Sequence, residues 1–208
     1  TLLGDMNQSI HPYIETGSYE PVLDILKEKK SAIIKLTKSY RSTCEIVEFT
    51  KAIVKKGEKI DAISRAGEKP QVIAVQDEAK LIDEICKDIE KLKEEGCASI
   101  AVICRTAGEA SDVFEQLKKK TNAIMIKKDD TEFRTGVVVI PSYLSKGLEF
   151  DAVIVYNAGN GNYFNENERK LIYTVCTRAL HRLHVFYSGS LSGFIKEIPS
   201  ELYESRII

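Results

Sequence analysis

Residues Ser145-Lys-Gly-Leu-Glu-Phe-Asp-Ala-Val-Ile-Val155 decide the fold. The first half is a tight turn in which Gly147 separates a cation from a carboxylate. The second half runs into residues 152–156, a short β-branched apolar stretch. Such a stretch reads as a strand buried on both faces, the mark of a parallel sheet covered on both sides. Residues 135–140, just upstream, read the same way. Working outward, strand-like and helix-like segments alternate. Strands are expected at 32–36, 71–75, 99–104, 123–126 and 184–187. Helices are expected at 43–55, 78–95, 107–119 and 165–177. Ser42 and Glu45 have capping-box spacing for the first helix, and Gly57 suits its end. Residues 57–70 read as a loop, and Gly159-Asn-Gly-Asn162 as a flexible one. This alternation predicts an α/β domain with a mostly parallel sheet and helices on both faces.

The bulk properties narrow the class. A chain of 208 residues suffices for one sizeable domain. With 30 basic and 31 acidic residues the net charge is -1. That excludes a strongly basic nucleic-acid binder, so any nucleic-acid contact must be a local patch or be shared with another part of the protein. The five cysteines are odd in number and form no Cys-x-x-Cys pair. They read as reduced thiols of a cytoplasmic protein. No apolar run reaches the ~18 residues of a membrane span, so no membrane partner is expected. Lysine clusters at 27–30, 118–120 and 127–128 fall at helix ends or turns. They read either as solvated complements to helix dipoles or as a phosphate-tracking patch. Thr1-Leu-Leu-Gly-Asp5 opens in mid-strand, so the chain is expected to be a piece of a longer protein.

Four segments carry chemistry. Gly4-Asp5-x-x-Gln8 follows a strand, where an amide can orient water or sense a phosphate. It is equally an ordinary turn. Tyr40-Arg41-Ser42 lies between a strand and a helix, and is expected at the carboxyl edge of the sheet, where ligands usually bind. Arg41 there can stabilise charge on a transferred phosphoryl group, or pair with a surface carboxylate. In Lys146-Gly-Leu-Glu149, Gly147 permits close backbone approach and Glu149 can accept from a ribose hydroxyl. The alternative is a solvated turn ion pair. Arg178 ends an apolar helical stretch and can reach across a cleft, or lie on the surface.

Taken in order, these segments resemble the second motor domain of superfamily 1 helicases of the UvrD/Rep type. Gly4-Asp-Met-Asn-Gln-Ser-Ile10 is similar to motif III. Leu36-x-x-x-Tyr40-Arg41-Ser42 is similar to motif IV. Lys146-Gly-Leu-Glu-Phe-Asp151 is similar to motif V, and Tyr173-x-x-x-Thr177-Arg178-Ala179 to motif VI. The resemblance implies a RecA-like fold. Residues 1–14 would be the tail of a preceding motor domain, and 15–208 the C-terminal one. It implies that Gln8 senses the γ-phosphate, Tyr40 stacks near the adenine, and Arg41 and Arg178 act as arginine fingers. Gly147 and Glu149 would meet the ribose. ATP would sit against an N-terminal RecA-like domain that carries the phosphate loop and the Mg²⁺ ligands, since this sequence contains no Gly-rich phosphate loop and no metal site of its own is expected.

The nucleic-acid residues depart from the family pattern. Tyr13 falls where a base-stacking aromatic would lie. Pro141 and Tyr143 replace Thr and His residues that touch the strand backbone in relatives. Tyr143 and Lys146 remain the candidates for contact with single-stranded DNA. The interval between Arg41 and Lys146 is too short for the large accessory domain of UvrD and Rep. This compactness, with Pro141-Ser-Tyr-Leu-Ser145 before the lysine, resembles the HelD-type branch, which brings RNA polymerase in as a partner. The expected activity is ATP-dependent helicase action by the full-length protein, with the 208-residue chain inactive alone. A binding module that keeps the fold without the motor is the rival from another class. It predicts no phosphate loop upstream either.

Overall fold

The computed structural model describes residues 20–26, 34, 38–54, 61–62, 65–127 and 135–208. Gln8 and Tyr13, the 1–14 segment and the expected boundary at residue 15 lie outside these. So do Gly57 and most of the strand expected at 32–36. Its one described residue, Ile34, belongs to no strand.

Seven strands form one sheet: β3 (Gln71–Val75), β4 (Ser99–Cys104), β5 (Ile124–Met125), β6 (Gly136–Pro141), β7 (Phe150–Val155), β8 (Ala179–Ser188) and β9 (Glu204–Ile207). Their order is β5-β6-β4-β7-β8-β3-β9, and every neighbouring pair is parallel. A separate two-residue parallel pair joins β1 (Lys38–Ser39) to β2 (Asp61–Ala62). A short helix, α1 (Glu20–Leu26), precedes them.

The period-2 alternation of the central strands builds two cores. Ala101, Ile103, Val153 and Val155 point to one face, under α2 (Cys44–Ile53), α5 (Arg169–Cys176) and α6 (Gly193–Lys196). Ile100, Val102, Ala152 and Ile154 point to the other, under α3 (Leu81–Glu94) and α4 (Ala107–Leu117). Helices cover both faces, as the alternation predicts.

Several local expectations change. The capping box at Ser42 and Glu45 does not form. Thr43 is the N-cap residue, and its side chain makes no cap bond. Ser42 Oγ instead donates to the Ala179 carbonyl at 2.6 Å, and Glu45 accepts from the Gly67 amide at 2.8 Å. Both side chains serve tertiary ties that outcompete the local cap. Strand β8 begins five residues before the expected 184, and β9 was not expected at all. Gly159–Asn162 is held rather than free: Asn160 N donates to Ser190 O at 2.6 Å and Asn162 N to Gly159 O at 3.0 Å.

The connection from β6 to β7 positions the site. A parallel crossover usually needs about a dozen residues and a helix. Here residues 142–149 make it with one 3₁₀ turn, Ser142–Leu144. Ser142 Oγ donates to Arg105 O at 2.7 Å, and Ser145 Oγ to Ser142 O at 2.7 Å. Leu144 and Leu148 pack against the α2/α5 core. The segment thus runs from the carboxyl end of β6 to the amino end of β7.

Candidate functional site

Three of the four sequence segments meet. Glu149 immediately precedes β7, Arg178 immediately precedes β8, and these strands are neighbours. The Phe150 amide donates to the Arg178 carbonyl at 3.0 Å. The start of α2 is sewn to the same place: beside the Ser42 bond to Ala179, the Thr43 amide donates to Leu180 O at 3.2 Å. This brings Arg41 onto Glu149, with Nε to Oε1 at 2.5 Å. The two side chains are 44% and 37% exposed, so the pair is accessible. Tyr40 beside it is 71% exposed.

This constellation lies at the amino edge of β7 and β8, which corrects the carboxyl-edge expectation for Tyr40-Arg41-Ser42. Arg41 does follow a strand. That strand is β1, outside the seven-stranded sheet, and the ties from Ser42 and Thr43 carry Arg41 to the amino edge.

Arg178 is not at the surface. It is 1% exposed. Its Nε donates to Thr174 O at 3.1 Å, Nη1 to Leu148 O at 3.3 Å and Nη2 to Thr177 Oγ1 at 3.2 Å. Because Leu148 adjoins Glu149, the buried guanidinium holds the turn that presents the carboxylate. Gly147 makes that turn possible with φ of +87°, a left-handed conformation that L side chains resist. Lys146 is exposed on the same turn. Asp151 is turned to structure: its carboxylate accepts from the Ala98 and Ser99 amides, both at 2.9 Å. His181, on β8, accepts at Nε2 from the Arg65 guanidinium at 3.0 Å. Burial, then the Arg65 cation, hold its pKa below the usual 6.5.

Tyr143 stands apart from these residues, in the turn that leaves the carboxyl end of β6, and is 45% exposed. Sequence reasoning missed the half-buried hub behind it. Arg105 Nε donates to Glu168 Oε1 at 2.9 Å, and Glu168 Oε2 accepts from the Phe164 and Asn165 amides at 3.0 Å each. Glu109 accepts from the Arg105 amide and from Asn162 Nδ2, both at 2.6 Å, and burial pushes its carboxyl pKa up. The Asn165-x-x-Glu168 capping box was the readable signal for this hub. The lysine cluster at 118–120 takes its solvated reading: Lys118 pairs with Glu115 at 2.6 Å, and Lys120 with Asp83. All five cysteines are unpaired.

An exposed aromatic ring, a cation and a carboxylate lie together at the amino edge, and the ion pair leaves both charged groups accessible. Among the described residues no group of three or more His, Cys, Asp or Glu side chains could hold a metal ion. No helix among them is long and apolar enough to cross a membrane.

Two sequence profiles described as UvrD-like helicase C-terminal domain match the chain, over residues 34–142 and 136–186. The chain is similar to the crystal structure of the C-terminal domain of a possible DNA helicase from Lactobacillus plantarum. Identity is 35%, coverage is 80% of this chain and 98% of that one, and the TM-score is 0.70. Weaker likenesses, both with TM-scores of 0.44, join it to an arterivirus nonstructural protein 10 (helicase) in complex with DNA and to the C-terminal domain of the DEAD-box protein Dbp5. Their identities are 12% and 16%. They cover 77% and 68% of this chain, and 37% and 90% of theirs, and are too distant to bear on activity. Among curated proteins none matches.

Proposed function

The chain belongs to the UvrD-like helicase C-terminal domain family, and from that premise we propose that it is the second motor half of an ATP-dependent DNA helicase or translocase. The observation that carries the reading is the Arg41–Glu149 pair, assembled at one edge from segments more than a hundred residues apart. Bound ATP, with Mg²⁺ held by the N-terminal RecA-like domain, supplies the phosphoryl bond whose cleavage drives closure and opening of the two domains. Arg41 serves as an arginine finger, Glu149 takes the ribose hydroxyls, and Tyr40 offers its ring to the adenine. Gly147 permits the approach. Arg178 holds the Glu149 turn in the conformation described, and to act as a second finger its guanidinium must leave the Leu148 and Thr174 carbonyls. Gln8 senses the γ-phosphate. Tyr13, Tyr143 and Lys146 contact the single strand.

In the full-length protein, Arg41→Ala should lower kcat about a thousandfold with little change in KM. Glu149→Gln should raise KM instead. ATP turnover by the 208-residue chain alone, abolished by Arg178→Ala, would sink the two-domain reading.

The interval between Arg41 and Lys146 favours a second reading. Residues 71–127 form β3, β4 and β5 of the one sheet and the helices α3 and α4 that pack on it, with no added domain among them. That compactness favours a HelD-type factor that uses ATP-driven motion to free RNA polymerase from nucleic acid. Capture of RNA polymerase by the full-length protein, released by ATP, is its expected signature. Stimulation of ATPase by single-stranded DNA without such capture returns the reading to the helicase.

A further inference from the structure

The proposed nucleotide contacts use the amino edge of the sheet, and at the carboxyl edge only Tyr143, after β6, has a proposed role. In open α/β sheets the carboxyl edge is where ligands bind, in the crevice where neighbouring strands send their connections to opposite faces. Strands β8 and β3 form such a switch point. The chain leaves β3 towards α3 on one face, and leaves β8 towards α6 on the other. A cleft of about 490 Å³ opens there, within the ~300–1,000 Å³ range of small-ligand sites.

Three chain segments line it: Glu78 after β3, Asn157, Asn160 and Asn162 after β7, and Ser188 and Ser190 at and beyond the end of β8. The walls are fixed to one another. Gly159 and Leu191 form an antiparallel bridge, Ser192 N donates to Ala158 O at 3.0 Å, and Ala158 N donates to Phe186 O at 2.7 Å. Gly159 is needed for this closeness, since a Cβ there would lie 3.1 Å from both Asn157 Oδ1 and the Ser188 carbonyl. Asn157 adopts φ of 45°, in the left-handed region that asparagine tolerates better than most non-glycine residues.

The lining dictates the ligand. Among the described residues it contains no cation to attract a phosphate, the Glu78 carboxylate repels one, and no aromatic ring is present on which a base could stack. Amides and hydroxyls can satisfy a peptide backbone, and Glu78 is the one charge. Tyr156 beside Asn157 senses the same field: burial first, then Glu109 and Glu78 among others, push its hydroxyl pKa up to about 12. We propose that this crevice is a binding site for a short extended segment of a protein partner, its backbone met by the Asn160, Ser188 and Ser190 side chains and an arginine or lysine side chain met by Glu78.

Amide NMR titration of the 208-residue chain with an acetylated, amidated Gly-Arg-Gly-Arg peptide tests the site. Spermidine, a single-stranded oligonucleotide and the Gly-Gln-Gly-Gln peptide are the other arms. The arginine peptide should shift the 157–162 and 188–190 amides saturably. Glu78→Gln should weaken it roughly three- to five-fold, and Asn160→Ala should weaken it too. Shifts caused by the oligonucleotide, by spermidine without the peptide, or equally by the glutamine peptide would overturn the proposal. So would shifts spread along the carboxylates of α3, or none. Failure of the Arg41 kinetics leaves this outcome untouched, because the two sites share no residue.

Discussion

The two edges of the same pair of strands contrast. At the amino ends of β7 and β8, charged side chains from three sequence segments are drawn together and tied by side-chain bonds from Ser42 and Arg178. At the carboxyl ends, neutral loops are zipped by backbone bonds around a polar cleft. The first edge depends on a few specific side chains, and the second on backbone geometry. Substitutions should therefore act differently at the two.

The largest effect is expected from Arg178→Ala. It removes a donor to the Leu148 carbonyl, leaves the Thr174 carbonyl with the Thr177 hydroxyl as donor, and empties a buried volume. Unsatisfied buried groups and cavities together suggest a loss of about 3–5 kcal/mol in urea unfolding. Asn160→Ala, exposed at the other edge, should change stability by less than about 0.5 kcal/mol. Should the two variants unfold at similar urea concentrations, Arg178 is not the tie at the amino edge.

The glycines separate the edges by mechanism. Gly147 has open space where a Cβ would go, and its φ of +87° is the obstacle. Gly147→Ala should cost about 1–2 kcal/mol, and Gly147→Asn less, because asparagine tolerates the left-handed region. Gly159 carries no such φ but would place its Cβ 3.1 Å from two oxygens. Asparagine should thus be worse than alanine there. The same order of variants at both positions, by thermal or urea unfolding, would remove the distinction.

Ser42→Ala should cost about 1 kcal/mol, the worth of one buried hydrogen bond to the Ala179 carbonyl. Unlike Arg41→Ala, whose exposed ion pair contributes about 0–1 kcal/mol, it should also loosen α2 from β8. Hydrogen exchange at the Thr43 amide, which donates to Leu180, reads that loosening directly. Unchanged exchange in Ser42→Ala would mean the backbone bond holds the junction unaided.

The legibility of the chain follows from what each signal encodes. Strands 71–75 and 99–104 were readable to the residue because both their faces are apolar. The first half of β8 was not. Ala179-Leu-His-Arg-Leu183 is half-exposed at the amino edge, and its His181 and Arg182 conceal a strand. The four side chains of β9 all face solvent at the sheet margin, so no periodicity marks it. Motif resemblance picked out Arg41, Glu149 and Arg178, and they do share one edge. It could not tell which edge, because nothing in the sequence marks the two residues before Tyr40 as a strand outside the main sheet. Nor could it tell that Arg178 is buried. The carboxyl-edge cleft was unreadable because its asparagines, glycines and serines are ordinary turn formers.

The smallest expected effect is a pH slope at the amino edge. His181 sits among Arg65, Arg182 and Asp151, and its folded pKa lies below 6.5 because of burial and then the Arg65 charge. In that window the unfolded chain binds a proton that the folded chain refuses, so stability rises with pH. The contribution is complete above the unfolded value and is lost as pH falls through the folded one. Urea midpoints at about pH 7.5 and about pH 5.5 should therefore differ more for the wild-type chain than for His181→Gln, whose amide oxygen can still accept from Arg65. Asp151 works in the opposite sense, favouring the protonated ring. Asp151→Asn should accordingly steepen the slope, although it also weakens the ties to Ala98 and Ser99 at both pH values. If wild type and His181→Gln show the same slope, the cations crowding this edge are screened by solvent, and the charge contrast between the two edges carries less weight than their hydrogen bonding.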